Sequence, residues 1–262
     1  MKIKVVSLNL WHGGKLFTAI VKFLQQQQAD IIALQEVYDG SDPNLPDKYH
    51  SMERLQKHLS YPYSDFVQAY PESLPQGIVP HGNAILSKFP ITKHVLIQMT
   101  GQIQEGFVYK DIPEHWPIFP SPLQHVQLDV NGQDSVNVFN MHGVWDMDGD
   151  NYSDKRKQMS EAIISATQSL PNVIVTGDSN AKSSNQAMCN IEAHLKPVFG
   201  PELTSTFNMR RKTNPGYATA AVDLMYVSSE FTVLSRECPD VDISDHLPLV
   251  VSLELSGENA NT

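Results

Sequence analysis

The sequence predicts an α/β protein: a sandwich of two mixed or antiparallel sheets packed face to face, with helices outside. Three observations predict it. Apolar runs of strand length alternate with segments of helical periodicity, polar residues close some runs and open others, and the 262-residue chain is long enough to bury a sizeable core.

The elements follow in order. Residues 2–10 form a first strand, and Leu16, Ile20, Phe23 and Leu24 recur at helical spacing after it, with Gln25 to Gln28 continuing the solvated face. A second strand at 30–35 precedes a helix carrying Met52, Leu55 and Leu59. Strands at 83–87, 126–130 and 136–141 come next, then a third helix through Met159, Ile163, Ala166 and Leu170. Ser153 or Asp154 caps it, because either side chain satisfies orphan N–H groups at a helix start. A strand at 173–176, a helix through Met188, Ile191 and Leu195, and strands at 222–227 and 249–255 complete the set. Residues 100–122, punctuated by Pro113, Pro117, Pro120 and Pro122, read as an ordered surface loop. With no repeat and no linker, 1–255 is expected to be one domain and 256–262 a frayed tail.

The fold class turns on where the polar residues stand. Asn9, Glu36, His142 and Asp178 follow the apolar runs, whereas Asp223 and the pair Asp245-His246 precede theirs. All of them meet on one rim only if strands run both ways. That excludes a (β/α)8 barrel, whose site uses the C-terminal ends of parallel strands only.

Bulk properties narrow the function classes. A formal charge of −10 opposes broad binding to nucleic-acid backbones, which relies on many Lys and Arg contacts. It does not oppose a carboxylate cluster that holds a metal. No apolar run reaches the roughly 18 residues of a membrane span, and Met1-Lys2-Ile3-Lys4 leads into a strand without the apolar stretch of a signal peptide. Cys189 and Cys238 are too sparse for a disulfide framework. The expectation is a cytoplasmic chain starting at Met1, with no protein partner indicated.

The residue types point to phosphate-ester hydrolysis. Magnesium takes oxygen ligands, commonly one or two carboxylates with waters and substrate phosphate, and Glu36 is the first-choice ligand. Hydrolysis also needs an oriented water, charge stabilisation and help for the leaving oxygen. His246, oriented by Asp223, is a candidate general base or phosphate-polarising group, and His142 a second donor to phosphoryl oxygen. Asp178 and Asn180, on one tight turn, position water and phosphate.

Ser7-Leu8-Asn9, Leu34-Gln35-Glu36-Val37, Gly82-Asn83-Ala84-Ile85-Leu86-Ser87, Asn140-Met141-His142, Gly177-Asp178-Ser179-Asn180, Val222-Asp223-Leu224-Met225-Tyr226-Val227 and Ser244-Asp245-His246-Leu247-Pro248-Leu249 together resemble, in type and order, the motif series of the endonuclease/exonuclease/phosphatase superfamily of deoxyribonuclease-like phosphoesterases. The resemblance spans nearly the whole chain. It implies a four-layer α/β sandwich and dependence on Mg²⁺ or Mn²⁺. It further implies Glu36 and Asn9 near the metal, Asp178 activating water, Asn180 and His142 on the phosphate, Asp223 paired with His246, and Asp245 as a metal-side or orienting carboxylate. Many DNA-repair members carry an acidic residue two positions after the first Asn. Trp11 stands there in this chain, which weakens a two-metal or abasic-site-nuclease reading.

Other features bear on the substrate. Trp11-His12-Gly13-Gly14 offers either a glycine turn or a backbone nest for an anion. Lys155 and Arg156 open a helix, as a solvated face or as phosphate contacts. Asp146, Asp148 and Asp150 follow Trp145 in an acidic loop that resembles a calcium loop only superficially. Phe107, Tyr109, Trp116, Ile118 and Phe119 in the 100–122 loop either pack down or grip a base or a lipid headgroup. The leading expectation is a phosphoesterase acting on a phosphodiester or phosphomonoester, whether small molecule, lipid headgroup or nucleic acid. The alternatives are a DNA or RNA nuclease, a sphingomyelinase-like or inositol-phosphate phosphatase activity, and a non-catalytic binding module on the same fold.

Overall fold

Alternation along each central strand divides its side chains between two environments. On β1 (Lys2–Asn9), Ile3 and Val5 face a core shared with the opposite sheet, while Val6 and Leu8 face the outer helices. The same parity governs β2 (Ile31–Tyr38), with Ile31 and Ala33 inward and Ile32 and Leu34 outward. The computed structural model, which describes residues 1–101, 106–146 and 150–256, extends this pattern into two mixed six-stranded sheets.

The remaining strands are β3 (Tyr63–Leu74), β4 (Gly77–Ser87), β5 (Ile91–Thr100), β6 (Ser121–Asp129), β7 (Ser135–His142), β8 (Val173–Asp178), β9 (Lys196–Pro197), β10 (Asp223–Val227), β11 (Phe231–Glu237) and β12 (Leu249–Leu255). One sheet has the order β11-β12-β1-β2-β4-β3 and the other β5-β6-β7-β8-β10-β9. Helices α1 (Phe17–Gln27) and α2 (Ser51–Leu59) cover the first sheet through Ile20, Leu24, Met52 and Leu55. On the second, α3 (Asp154–Thr167) and α4 (Gln186–Glu192) pack through Met159, Ile163, Met188 and Ile191. Each such side chain, fully buried, contributes about 1.5–3 kcal/mol, so the four-layer order follows from the pattern of apolar spacing.

The parallel pairs β1–β2 and β7–β8 put four strand ends on one rim. The antiparallel neighbours β12 and β10 bring their starts to that rim, with Asp223 directly opposite Asp178. Behind it lies a polar tie between the sheets. Gln35 Nε2 donates to Asn140 Oδ1 at 2.6 Å, and Asn140 Nδ2 donates to the carbonyls of Leu34 and Ala84 at 3.0 and 3.1 Å. Asn140 Nδ2 also donates to Gln124 Oε1 at 3.1 Å, so this buried network ties one sheet to the other.

All the expected strands and helices are present, and β3, β5, β9 and β11 add to them. The expected loop at 100–122 is shorter at both ends, because Thr100 closes β5 and Ser121 opens β6. Part of it packs down: Tyr109 pairs with the β3 backbone and, with Phe119, lies against the Tyr70 ring, while Ile118 is exposed. Residues 102–105, Asp148 and 257–262 of the expected tail lie outside the described residues. Ser153 caps α3, its side chain accepting from the Arg156 N–H. No helix among the described residues is long and apolar enough to cross a membrane.

Candidate active site

Asn9 ends β1 on the inner parity shared by Ile3, Val5 and Ser7, so it points at the opposite sheet. There its Nδ2 donates to Glu36 Oε1 at 3.0 Å and to Asp178 Oδ2 at 3.1 Å, joining carboxylates from the two sheets. Its Oδ1 accepts from the Trp11 N–H at 3.0 Å. Glu36 reaches this point by an irregularity. Simple alternation from Leu34 would send its side chain to the helices, but a bulge between Leu34 and Val37, with Glu36 at φ 56°, turns it to the rim. The His12 N–H donates to its Oε2 at 2.6 Å. Burial pulls the Glu36 carboxyl upward, but the fields of His12 and His142 and the His12 N–H outweigh it and hold the group below the usual carboxylate range.

All four residues of the Trp11–Gly14 turn have positive φ, and their N–H groups serve the Asn9 amide oxygen, the Glu36 carboxylate, the Glu36 carbonyl and the Trp11 carbonyl in turn. The glycine turn is thus closed on its own neighbours, with the His12 N–H alone on a carboxylate.

From the second sheet, His142 ends β7 and Asp178 ends β8, in register with each other. His142 Nε2 is 3.8 Å from Asp178 Oδ2, and His246 Nε2 lies at the same 3.8 Å from that oxygen. Both gaps exceed hydrogen-bond length, so neither Nε2 is engaged by that oxygen. Asp178 Oδ1 accepts from the Asn180 N–H at 2.8 Å, and Asn180 Nδ2 donates to the Gly143 carbonyl at 3.2 Å. Two glycines allow this turn. Gly177 has φ 131° beside the Met141 backbone, and a side chain on Gly143 would strike the Ser179 backbone. Arg156, which borders the cavity, is not a solvated residue. It is buried, donating to the carbonyls of Asn151 and Asn180 at 2.9 and 2.7 Å, and so holds the turn from below.

Asp223 opens β10 and accepts from His246 Nδ1 at 2.8 Å. Burial alone would discharge the His246 ring, but Asp223, Asp178 and Asp245 overcome it and push the imidazole up to about 10. These carboxylates favour the protonated ring, which suits His246 to donate a hydrogen bond or a proton. Asp245 faces the same space, with Lys212 Nζ 2.8 Å from its Oδ2. Ser244 Oγ donates to the Asn9 carbonyl at 2.7 Å, tying the segment that leads into β12 to the end of β1.

Glu36, His142, Asp178, Asn180, Asp245 and His246 line one cavity of about 820 Å³, and Asn9 and Asp223 stand behind its wall. Sequence reasoning missed several of its other residues. The Phe207 ring lies tilted against His246, centre to centre 4.6 Å, and Lys212 sits beside Phe207 and Tyr217. Their one sequence signal is the basic run Arg210-Arg211-Lys212 set against Asp240, Asp242 and Asp245. His81, buried between Tyr38 and Tyr70, was also missed; burial holds its ring neutral, at about 3. Asp146 and Asp150 line the cavity, with Asp150 paired to Lys182 at 2.5 Å, while Lys155 is not in the wall.

Two groupings offer metal donors. Asp178, Asp223 and His246 present atoms within 4.8 Å of one another, but the Asp223–His246 contact is already a hydrogen bond, and Asp223 is buried behind the wall. Glu36 fits a hard cation better: it is an oxygen donor, fixed by Asn9 and His12, held as an anion, and it faces the cavity.

A sequence model of the Endonuclease/Exonuclease/phosphatase family matches residues 6–246. No curated protein matches the chain. Among solved structures, an endonuclease/exonuclease/phosphatase protein from Beutenbergia cavernae is 18% identical, with a TM-score of 0.76 over 98% of this chain and 72% of that one. The catalytic domain of human Nocturnin with bound sulfate is 17% identical, with a TM-score of 0.69 over 97% of this chain and 95% of its own. A mannosyl-6-phosphatase from Bacteroides thetaiotaomicron is 17% identical, with a TM-score of 0.67 over 97% of this chain and all of its own.

Proposed function

The chain belongs to the Endonuclease/Exonuclease/phosphatase family, and from that premise we propose that it is a divalent-metal-dependent phosphoesterase that hydrolyses a phosphate ester by in-line attack of an activated water. One observation carries the reading: Glu36, His142, Asp178, Asn180, Asp245 and His246, from separate strand ends, share one cavity. A bound Mg²⁺ or Mn²⁺ would polarise the phosphoryl oxygens and offset their charge. Glu36 would hold it, with waters and substrate completing the shell, while the Asn9 amide keeps Glu36 and Asp178 at a fixed separation. Asp178, oriented by Asn9 and the Asn180 N–H, is assigned to align the water and take its proton. The His246 imidazolium, steadied by Asp223, and His142 donate to phosphoryl oxygens as charge develops. Asn180 orients the phosphate.

The substrate reading favours a small phosphate ester over a nucleic-acid backbone. Six carboxylates, Glu36, Asp111, Asp146, Asp150, Asp178 and Asp245, line the cavity against Arg156, Lys182, Lys212 and the His246 imidazolium. A structurally similar protein is by name a mannosyl-6-phosphatase, which acts on a compact monoester. The test is hydrolysis of p-nitrophenyl phosphate and bis-p-nitrophenyl phosphate with Mg²⁺, Mn²⁺ or EDTA. Turnover should require the ion and fall roughly 10²–10⁴-fold in Asp178→Ala and His246→Ala. Metal-independent turnover, or full activity in both variants, overturns the mechanism.

A further inference from the structure

The floor and the mouth of the cavity differ in kind. Asp178, Asp245 and His246 at the floor are buried, whereas Asp111, Trp145 and Asp150 at the mouth are exposed. A cavity of about 820 Å³ holds far more than a phosphoryl group, so the mouth is left for the alcohol that the phosphate esterifies. The two parts are in fixed register. Trp145 follows His142, and Lys182 follows Asn180, on turns joined by the 3.2 Å hydrogen bond from Asn180 Nδ2 to the Gly143 carbonyl. Val144 is buried and its N–H donates to Met159 Sδ at 3.3 Å, which anchors the backbone just before Trp145.

The chemistry of the walls narrows what that alcohol is. Among the described lining residues only Ala220 and Val222 are aliphatic, so a fatty chain finds no matching surface. Trp116 and Trp145 meet with their planes 78° apart, an arrangement that cannot sandwich a flat base between parallel faces. A cationic alcohol is opposed from within, because Lys15 lies over the Trp11 ring and Lys212 beside the Phe207 and Tyr217 rings.

A saturated ring bearing hydroxyls suits the space. Its slightly positive C–H groups settle on the electron-rich face of an indole, and its hydroxyls both donate and accept. Partners for both are present. Asp111 Oδ1 accepts from Trp116 Nε1 at 2.8 Å, which fixes carboxylate and ring together, and an ionised carboxylate has about four acceptor positions. Lys182 and Asp150, paired at 2.5 Å, set a donor and an acceptor side by side.

We propose that the mouth is a sugar subsite: Trp145 is the platform for the sugar ring, Asp111 and the Lys182–Asp150 pair bind its hydroxyls, and the substrate is a sugar phosphate. The inference rests on the phosphoesterase reading above and names its substrate class. These residues set specificity and take no part in bond cleavage, so their loss alters the choice among esters.

The test compares kcat/KM for glucose 6-phosphate and mannose 6-phosphate with that for glycerol 2-phosphate, adenosine monophosphate and phosphocholine, in Mg²⁺ or Mn²⁺. The wild type should favour a hexose phosphate over each of the other three by about tenfold or more. The hexose-to-glycerol ratio should fall by about tenfold or more in Trp145→Ala and Asp111→Ala, and by less than about threefold in Trp145→Phe, which keeps an aromatic face. Thermal melting of each variant keeps a folding defect apart from a change of specificity. A preference for adenosine monophosphate or phosphocholine, or an unchanged ratio in folded Trp145→Ala, overturns the sugar subsite and leaves the phosphoesterase reading standing. If no ester is hydrolysed, that reading fails and calorimetry decides the subsite alone. Hexose phosphate binding that Trp145→Ala weakens by about tenfold would sustain it, and equal or absent binding would overturn it.

Discussion

His246 shows how one residue links folding to charge. Its ordinary value of 6.5 rises to about 10 in the folded chain, because the carboxylates of Asp223, Asp178 and Asp245 outweigh burial. A group whose pKa rises on folding contributes stability that is complete below its unfolded value and lost as pH climbs through its folded value. In EDTA, the melting-temperature difference between the wild type and His246→Gln should therefore be largest below about pH 6.5 and shrink toward pH 10. In Asp223→Asn the main stabilising charge is gone, so the loss should begin at lower pH. A difference that grows with pH, or is flat from 6 to 10, would show that the ring is neutral in the fold. Glu36 has the opposite sign. Its depressed pKa contributes stability above the ordinary carboxylate range that fades in acid, so Glu36→Gln should cost stability at neutral pH and little near pH 3.

At the scale of elements, strand termini carry the site, and their backbone sets its precision. Gly177, on the last turn of β8, combines φ 131° with a Met141 backbone too close for any side chain. Gly177→Ala should lower unfolding free energy by about 2 kcal/mol or more, combining the ~1–3 kcal/mol typical of a strained backbone position with a collision that the rigid sheet resists. Gly132, in the β6–β7 turn at φ 78° with open space around it, is the control: alanine there meets backbone strain alone and should leave activity unchanged. Urea unfolding and turnover of the two variants separate strain from collision, and equal effects would refute the argument. Sequence parity explains why most of these termini were legible. Asn9, His142, Asp178 and Asp223 each continue the inner face of their own strand, so an interrupted apolar run points at the rim. Glu36 was found by type and position, but its direction was not, because an extra residue in a bulge reverses parity without a local sequence mark. Edge strands β3, β5 and β11 escaped notice for a different reason. They mix polar and apolar residues on half-exposed faces, and Pro71 interrupts β3.

Across the whole molecule, charge and aromatic placement set what the cavity can accept. What sequence reading left out here are pairings between distant segments: Lys212 with Asp245, Arg156 with the Asn180 carbonyl, Phe207 with His246. Such contacts depend on how loops cross the rim, and no periodicity encodes that. The net charge of −10 and the acidic wall predict that binding of a single-stranded oligonucleotide will be weak and nearly independent of salt, whereas a backbone-tracking nuclease loses affinity steeply as salt rises. The aromatic wall gives a more direct test of the cavity. The chain has three tryptophans, and Trp11, Trp116 and Trp145, from three separate loops, all line this one space. Trp116 and Trp145 meet edge to face at 5.7 Å, Trp116 Nε1 donates to Asp111 at 2.8 Å, and Lys15 Nζ sits 4.1 Å above Trp11. Tryptophan emission therefore reports on the cavity, with no background from indoles elsewhere. Titrating inorganic phosphate in the presence of Mg²⁺ should change the emission saturably, at the same midpoint that calorimetry gives, and Glu36→Gln should abolish the change. Of the single Trp→Phe variants, Trp145→Phe should remove a large part of it, since that ring is 45% exposed at the mouth and its solvent contact is the easiest to alter. Phosphate binding seen by calorimetry with unaltered emission would put the anion outside this cavity, and the hydrolytic assignment of its walls would fail.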